Sequence, residues 1–294
     1  MDILDSQAHI GPGGIDEMIA AMNALGIRSV LLDEYWLSVT TEEMPTYTVQ
    51  AGVQTFRRAV SPTAELAAMT HPDRFSYLQR VDRRDPELGA IIRLARDASH
   101  CRALRIAPGL DKTELAELAG DGYDVLFAQA ADCGMPVFVT IPGNAPVLRA
   151  AAARFPSVQF IVDHCGMPFS ETLKDALKAA GLGETMPEMG GRGTPEEFNR
   201  VLQLADLGNV ALKWGQAPGL FVVSPYPFEP LRRFLRAALD AFGSERVMWA
   251  GDASANMTGE SWAELLFWSR DNPDLSPQEK ADFLGGTARR ILNW

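Results

Sequence analysis

Eight short apolar segments, rich in β-branched and aliphatic residues, recur along the chain with longer amphipathic segments between them. They lie at about residues 2–7, 28–33, 75–81, 102–106, 136–141, 158–163, 209–214 and 246–251. This alternation is typical of βαβ units around a parallel sheet. Because 294 residues accommodate eight such units in one domain, we predict a single (β/α)8 TIM barrel over residues 1–294.

An open doubly wound sheet has the same alternation, so the pattern alone does not separate the two folds. The chain lacks GxGxxG after its first predicted strand and lacks GxxxxGK[ST] throughout, which argues against nucleotide binding. The placement of polar residues at the strand ends favours the barrel. Two long connections, residues 34–58 and 165–195, also follow strand ends, and we expect them to cover the substrate.

The net charge and the cysteines restrict the partners and the compartment. A formal net charge of −11 repels nucleic acid and anionic membranes, while a few convergent cations in a cleft still allow a small anionic substrate. Three widely spaced cysteines argue against a disulfide framework. The acidic start MDILDSQAHI does not resemble a signal peptide. We predict a cytoplasmic protein without nucleic acid or membrane partners, and leave a homo-oligomer open.

The first predicted strand ends in polar residues. In DSQAHIG, strand alternation would place Asp5, Gln7 and His9 on one face, with Gln7 and His9 at the carboxyl end. A solvated histidine at a strand end would give the same pattern, so this motif alone leaves a structural role open.

Two further strands end in side chains with catalytic potential. The sixth finishes in FIVDHCGMP and delivers Asp163 and His164 to the barrel mouth, and the eighth finishes in VMWAGDASAN with Asp252 at the equivalent point. If the barrel closes, His9, His164 and Asp252 converge on one pocket.

These motifs resemble the amidohydrolase-related (amidohydrolase 2) family of TIM-barrel hydrolases, which includes sugar lactonases and the lactonases for 2-pyrone-4,6-dicarboxylate and sulfomuconolactone. DSQAHI stands where the family often has DxHxH, FPSVQFIVDHCGMP is similar to its P-x-DHxGxP segment, and ERVMWAGDAS is similar to its RxMxGSDxP. The tail LSPQEKADFLGGTARRILNW is similar to the closing helices of the family. The resemblance spans nearly the whole chain and indicates the family without naming a substrate.

The resemblance implies that Asp252 is the general base that activates the attacking water. A carboxylate in a partly desolvated barrel mouth, near imidazoles, can stay ionised and accept a proton from water. It also implies that His9 and His164 bind a divalent metal or donate hydrogen bonds to the carbonyl oxygen. Either role stabilises the oxyanion of a tetrahedral intermediate.

The chain departs from the family pattern at the metal-binding positions. Gln7 replaces the first histidine of the first strand, and the fifth strand ends in FVTIPGN with Thr140 and no Lys or His to bridge two metals. We therefore do not expect a binuclear site. One Zn²⁺ held by His9, His164 and Asp252, plus water, meets the three-ligand count of catalytic zinc sites, and a metal-free site fits equally well.

Polar and aromatic side chains near other strand ends are candidates for substrate binding. They are Gln7, Tyr35, Arg80, Arg105, Lys213 and Trp214. A buried Arg without a carboxylate neighbour binds a substrate carboxylate in bidentate fashion, which favours Arg105 for this role, and pairing with Asp5 or Asp163 is the competing interpretation. Tyr35 and Trp214 could form an apolar wall over a ring substrate, although aromatic residues more often only pack.

We therefore expect a hydrolase that opens a lactone, or a related cyclic ester or amide, of a carboxylate-bearing small molecule. A non-oxidative decarboxylase of an aromatic or enoic acid is one alternative, but such relatives generally keep the paired histidines of the first strand. A barrel that has lost activity and only binds a small molecule is another, and retention of Asp252 argues against it.

Overall fold

The computed structural model describes residues 1–34, 46–51, 54–169, 171, 174–175, 186–188, 193–221, 225–253 and 259–294, with no side chains described for 46–51 and 54–57. The strands are β1 (Leu4–Ala8), β2 (Ser29–Leu32), β3 (Thr46–Ala51), β4 (Gln54–Ala59), β5 (Phe75–Arg80), β6 (Cys101–Ile106), β7 (Val137–Val139), β8 (Phe160–Val162), β9 (Val210–Trp214) and β10 (Val247–Trp249).

Eight of these strands form one parallel sheet, in the order β1, β2, β5, β6, β7, β8, β9, β10. The main-chain N–H of Asp252, just after β10, donates to the carbonyl of Gln7 in β1 at 2.9 Å. This bond brings the last strand against the first in a nearly closed barrel. The predicted barrel is confirmed, and each of the eight predicted strands is present.

Helices connect the strands. They are α1 (Gly14–Leu25), α2 (Pro62–Thr70), α3 (Leu88–Asp97), α4 (Lys112–Ala119), α5 (Asp124–Cys133), α6 (Leu148–Arg154), α7 (Pro195–Leu202), α8 (Ala217–Leu220), α9 (Leu231–Phe242), α10 (Trp262–Arg270), α11 (Pro277–Ala281) and α12 (Thr287–Leu292). Gly26 ends α1 at φ 76°, in the left-handed region that glycine adopts most easily. Within the described part of the chain, no helix has the length and apolar character needed to cross a membrane.

The long connection after β2 contains a hairpin that the sequence analysis did not predict. Strands β3 and β4 pair antiparallel, from Thr46 opposite Ala59 to Ala51 opposite Gln54. The signal was present, because TYTVQ alternates hydroxyl or amide residues with larger apolar ones at the strand period. Residues 35–45, including Tyr35, lie outside the described residues, as does most of the predicted covering segment 165–195.

The side chains that point into the barrel change from apolar to polar between one inward-facing position of a strand and the next. One apolar side chain from each strand forms a layer that is at most 1% exposed: Leu4, Leu31, Leu78, Ala103, Phe138, Ile161, Ala211 and Met248. Because alternate residues of a strand share a face, the residues two positions further on also point inward. From β2 and β5 to β9 these are Asp33, Arg80, Arg105, Thr140, Asp163 and Lys213, which we call the polar layer. It forms the floor of the candidate site.

Candidate active site

Asp252 lies at the centre of the cluster, directly beyond β10, and is 1% exposed. Its Oδ1 lies 2.9 Å from Nε2 of His9, and its Oδ2 lies 3.1 Å from Nε2 of His164. The ends of β1, β8 and β10 therefore bring together the three side chains that the sequence analysis placed in one pocket.

His9 is held at both ring nitrogens. Its Nδ1 lies 2.7 Å from the main-chain oxygen of Asp33, and its Nε2 faces the carboxylate of Asp252. Both partners are hydrogen-bond acceptors. The two contacts therefore fix the orientation of the His9 ring beside the Asp252 carboxylate.

His164 also contacts Asp252, but the described part of the chain holds it at only one of its ring nitrogens. Its Nε2–H donates to Asp252, while its buried Nδ1 has no hydrogen-bond partner among the described residues. Burial, followed by the nearby Lys213 ammonium, lowers the pKa of His164, because both disfavour the charged ring. His164 is therefore neutral near pH 7 and orients the carboxylate through one N–H.

The surroundings of Asp252 keep it ionised. Burial alone would raise the pKa of this carboxyl, but the hydrogen bonds from His164 and His9 outweigh burial and hold the pKa well below its usual range. A buried carboxylate that remains charged can accept a proton from a water molecule placed next to it.

Gln216 also reaches this carboxylate, and the sequence analysis missed it. Its Nε2 donates to Oδ2 of Asp252 at 2.6 Å. Gln216, Asp252 and His164 have φ angles of 54°, 47° and 50°, in the region that residues with side chains rarely adopt. Such conformations cost about 1–3 kcal/mol each and persist only where the surrounding structure imposes them. Two residues with strained backbones, Gln216 and His164, therefore contact one carboxylate oxygen of a third, Asp252.

Two acidic residues of the polar layer form ion pairs with its three cations. Asp33 binds both Arg80 and Arg105 through its carboxylate, with Arg80 Nε 2.8 Å from Oδ1. Asp163 accepts from Arg105 at 2.9 Å and lies 2.5 Å from Lys213 Nζ. Burial would raise the pKa of each carboxyl, but the neighbouring cations outweigh it and hold both values well below the usual range.

Arg105 binds two carboxylates, those of Asp33 and Asp163, and is only 4% exposed. Its predicted role in substrate binding assumed an Arg without a carboxylate neighbour, and the structure does not meet that condition. Asp163 was the competing partner, and Asp33 was not considered. Arg80 keeps 17% of its side chain exposed, so it is the more accessible of the two guanidinium groups.

Lys213 and Gln7 bind each other inside the barrel. Lys213 is completely buried, and its Nζ donates to Oε1 of Gln7 and pairs with Asp163. Burial lowers the pKa of Lys213. The amide that replaces the first histidine of the family motif therefore accepts from an ammonium, and its Nε2 lies 3.4 Å from Nε2 of His9.

The Asp5 side chain has different partners from the side chains of Gln7 and His9, contrary to the strand alternation. Its carboxylate accepts from the main-chain N–H groups of Gln7 and Gly251, at 3.0 and 2.9 Å, and from Nε1 of Trp262 at 2.7 Å. The register of β1 against β2 shifts between Asp5 and Ala8, and such an irregularity interrupts the alternation of faces.

Trp214 belongs to the apolar core and not to an exposed wall. It is 3% exposed, stacks on Phe221 with ring centroids 5.6 Å apart, and meets Phe198 edge to face. Because Lys213 points into the barrel, the next residue of β9 points outward toward the helices. This packing differs from the predicted contact with a ring substrate.

A protein metal site needs several suitable side chains directed at one point. Within the described ranges, no group of three or more His, Cys, Asp or Glu side chains is arranged so that it could hold a metal ion. Both oxygens of Asp252 already accept hydrogen bonds from imidazoles, and Lys213 supplies positive charge beneath them. Among the described residues, these side chains are therefore arranged to bind one another and not a metal ion.

The chain is similar in sequence to one protein family and in fold to several solved structures. The family model described as amidohydrolase matches residues 5–294, whereas no curated protein sequence matches significantly. A zinc-bound amidohydrolase from Burkholderia multivorans is 19% identical, with 100% of this chain and 99% of that one covered and a TM-score of 0.70.

Two further solved structures show how widely the fold is used. A probable 2-pyrone-4,6-dicarboxylic acid hydrolase from Acinetobacter baumannii, with citric acid bound, is 12% identical over 100% of both chains, with a TM-score of 0.69. A 5-carboxyvanillate decarboxylase from Sphingomonas paucimobilis is 16% identical over 99% of both chains, with a TM-score of 0.60. At these identities the likeness shows a shared fold, which hosts both hydrolases and decarboxylases.

Proposed function

The chain belongs to the amidohydrolase family, and from this premise we propose that it is a hydrolase that opens a lactone, or a related cyclic ester or amide, of a carboxylate-bearing small molecule. The observation that carries the proposal is the buried, ionised carboxylate of Asp252 at the barrel mouth, held between His9 and His164. A buried base with fixed orientation is suited to activating water.

In the proposed reaction, Asp252 accepts a proton from a water molecule while the water oxygen attacks the carbonyl carbon of the ring. As Asp252 takes up the proton, the Nε2 side of His9 that faces it becomes available to the carbonyl oxygen, and a hydrogen bond from His9 stabilises the negative charge that develops there. The ring carbon–oxygen bond then breaks, and the leaving oxygen takes the proton from Asp252. His164 and Gln216 hold the carboxylate during both steps.

Arg80 is the residue that we propose for contact with the substrate carboxylate. Its side chain is 17% exposed, compared with 4% for Arg105 and 0% for Lys213. A partly exposed guanidinium group can approach a carboxylate in bidentate geometry. Arg105 and Lys213 would then contribute from deeper in the barrel by adding positive charge to the floor, and Gln7 would contribute by binding Lys213.

We propose that this reaction proceeds without a metal, because His9 and His164 contact Asp252 directly and the described residues contain no group of three or more side chains arranged around a metal position. Elemental analysis of the purified protein, with activity measured before and after chelation, tests this part. Metal-free protein with full activity is the expected result. About one zinc per chain with chelator-sensitive turnover would instead make His9, His164 and Asp252 metal ligands.

A panel of carboxylate-bearing lactones tests the reaction itself. We expect ring opening with one acid group formed per turnover and no release of CO2. Asp252→Asn should lower kcat by roughly 10³-fold, in the range of a lost general base. Asp206→Asn is the control, because Asp206 pairs with Arg149 on the exposed surface and has no part in the proposed reaction. CO2 release would support a decarboxylase, and binding without turnover would support a non-catalytic barrel.

A further inference from the structure

Gln216 lies closer to the Asp252 carboxylate than either histidine does. The distance from Gln216 Nε2 to Oδ2 is 2.6 Å, compared with 2.9 and 3.1 Å for the imidazole contacts. A carboxylate only accepts hydrogen bonds, so the amide nitrogen must face it. Gln216 is partly exposed whereas the two histidines are buried, and it is therefore the donor on the open side of the site.

The backbone at Gln216 supports a specific role for this side chain. The residue follows β9 and Gly215, has φ 54° and ψ 22°, and accepts at its carbonyl from the N–H of Leu220 at 3.2 Å. Glycine would adopt this conformation at lower cost. The chain nevertheless has a long amide side chain at this position, and that side chain contacts Asp252.

The other end of the amide is available to a ligand. None of the hydrogen bonds that Gln216 makes within the described ranges uses Oε1. Because Oε1 and Nε2 share one carbon atom, a water molecule bound to Oδ2 of Asp252 lies within reach of Oε1. Such a water would donate one hydrogen to Asp252 and the other to Gln216, which fixes its oxygen for attack.

We propose that Gln216 positions the hydrolytic water, an inference that rests on the proposed hydrolase function. The first proton of the water moves to Asp252 as its oxygen bonds to the carbonyl carbon, and the second stays hydrogen-bonded to Oε1. The amide neither gains nor loses a proton. Glutamine orients attacking water in the same way in nucleotide hydrolysis.

High-resolution crystal structures of the wild type and of Gln216→Met test the placement directly, without any substrate. Methionine keeps a similar unbranched length but has neither the donor nor the acceptor of the amide. The wild type should hold an ordered water within hydrogen-bonding distance of both Asp252 and Oε1, and the variant should lack it. A wild-type site with no water at this position would overturn the proposal.

Kinetics on a lactone that the wild type opens provide the second readout. Gln216→Met should lower kcat by about 100-fold, similar to the loss of a catalytic hydrogen-bond donor, with KM little changed. Gln278→Met is the matched control, because Gln278 donates to the carboxylate of Asp282 at 2.9 Å on the exposed surface, and its kcat should stay at the wild-type value.

The two experiments separate the two proposals. An unchanged kcat, or an effect on KM alone, would overturn the role of Gln216 while leaving the hydrolase function intact. If no lactone is opened by the wild type, the proposed function fails, and the crystallographic water still decides whether Gln216 positions it.

Discussion

The main-chain carbonyl of Asp33 accepts a hydrogen bond from Nδ1 of His9 at 2.7 Å, while the carboxylate of the same residue binds Arg80 and Arg105. One residue thus connects the imidazole of His9 to the charged floor of the site. The orientation of His9 depends on the backbone of Asp33, whereas the charge balance of the floor depends on its side chain. These two contributions can be separated by substitution.

Asp33→Asn should destabilise the protein by about 3 kcal/mol, because it leaves the buried Arg105 and the partly buried Arg80 with one carboxylate fewer. The main-chain contact with His9 does not require the charge, so the loss should appear mainly in the free energy of unfolding, measured with urea. Asp97→Asn is the control, since Asp97 pairs with Arg96 on the exposed surface. Equal stability of Asp33→Asn and the wild type would contradict the structural role of this pairing.

Asp5 should make the stability depend on pH in an unusual direction. Burial raises the pKa of its carboxyl from 3.8 to about 7, although Gln7, Gly251 and Trp262 donate hydrogen bonds to it. The folded state therefore holds the proton more tightly than the unfolded state, and stability falls as pH rises from about 4 to about 7. The shift corresponds to roughly 4 kcal/mol at most.

The measurement is urea unfolding of the wild type and of Asp5→Asn at both ends of this pH window. Because asparagine does not titrate, the free energy of unfolding of the wild type should decrease relative to the variant as pH rises. The buried carboxyls with lowered pKa, at Asp33, Asp163 and Asp252, contribute stability that is lost only below about pH 4. A constant difference across the window would rule out a raised pKa at Asp5.

Gly251→Ala should reduce both stability and activity. A Cβ at this position would lie 2.4 Å from Oδ2 of Asp5 and 2.6 Å from Nε1 of Trp262, so their hydrogen bond and the neighbouring Asp252 would have to shift. Overpacking of this kind costs about 1–3 kcal/mol. Gly208→Ala is the matched control, because its Cβ would have no neighbour within 4 Å. A melting temperature and kcat equal to those of the wild type would show that the site tolerates the shift.

The strands were predictable because each is a short apolar run that ends in a polar residue. The same pattern could have identified Asp33, since RSVLLD ends like FIVD with an acidic residue two positions after an inward leucine or isoleucine. The alternation at Asp5 was wrong because a register shift in β1 is a property of strand pairing, which single-strand periodicity does not contain.

The ion pairs and the position of Gln216 could not be predicted from the sequence. Arg105 and Asp33 are 72 residues apart, and they meet only because the barrel brings the ends of β2 and β6 to the same interior layer. Gln216 has no periodic signal, and its contact with Asp252 depends on a left-handed turn after Gly215. Both features depend on three-dimensional closure and not on local pattern.

The step from the apolar layer to the polar layer has a consequence for how such a protein changes over time. The residues that hold the barrel together and those that set its chemistry alternate on the same strands, two positions apart. Substitutions in the polar layer can alter charge and ligand preference while the apolar layer keeps its packing. The scaffold can therefore acquire new substrates without losing its architecture.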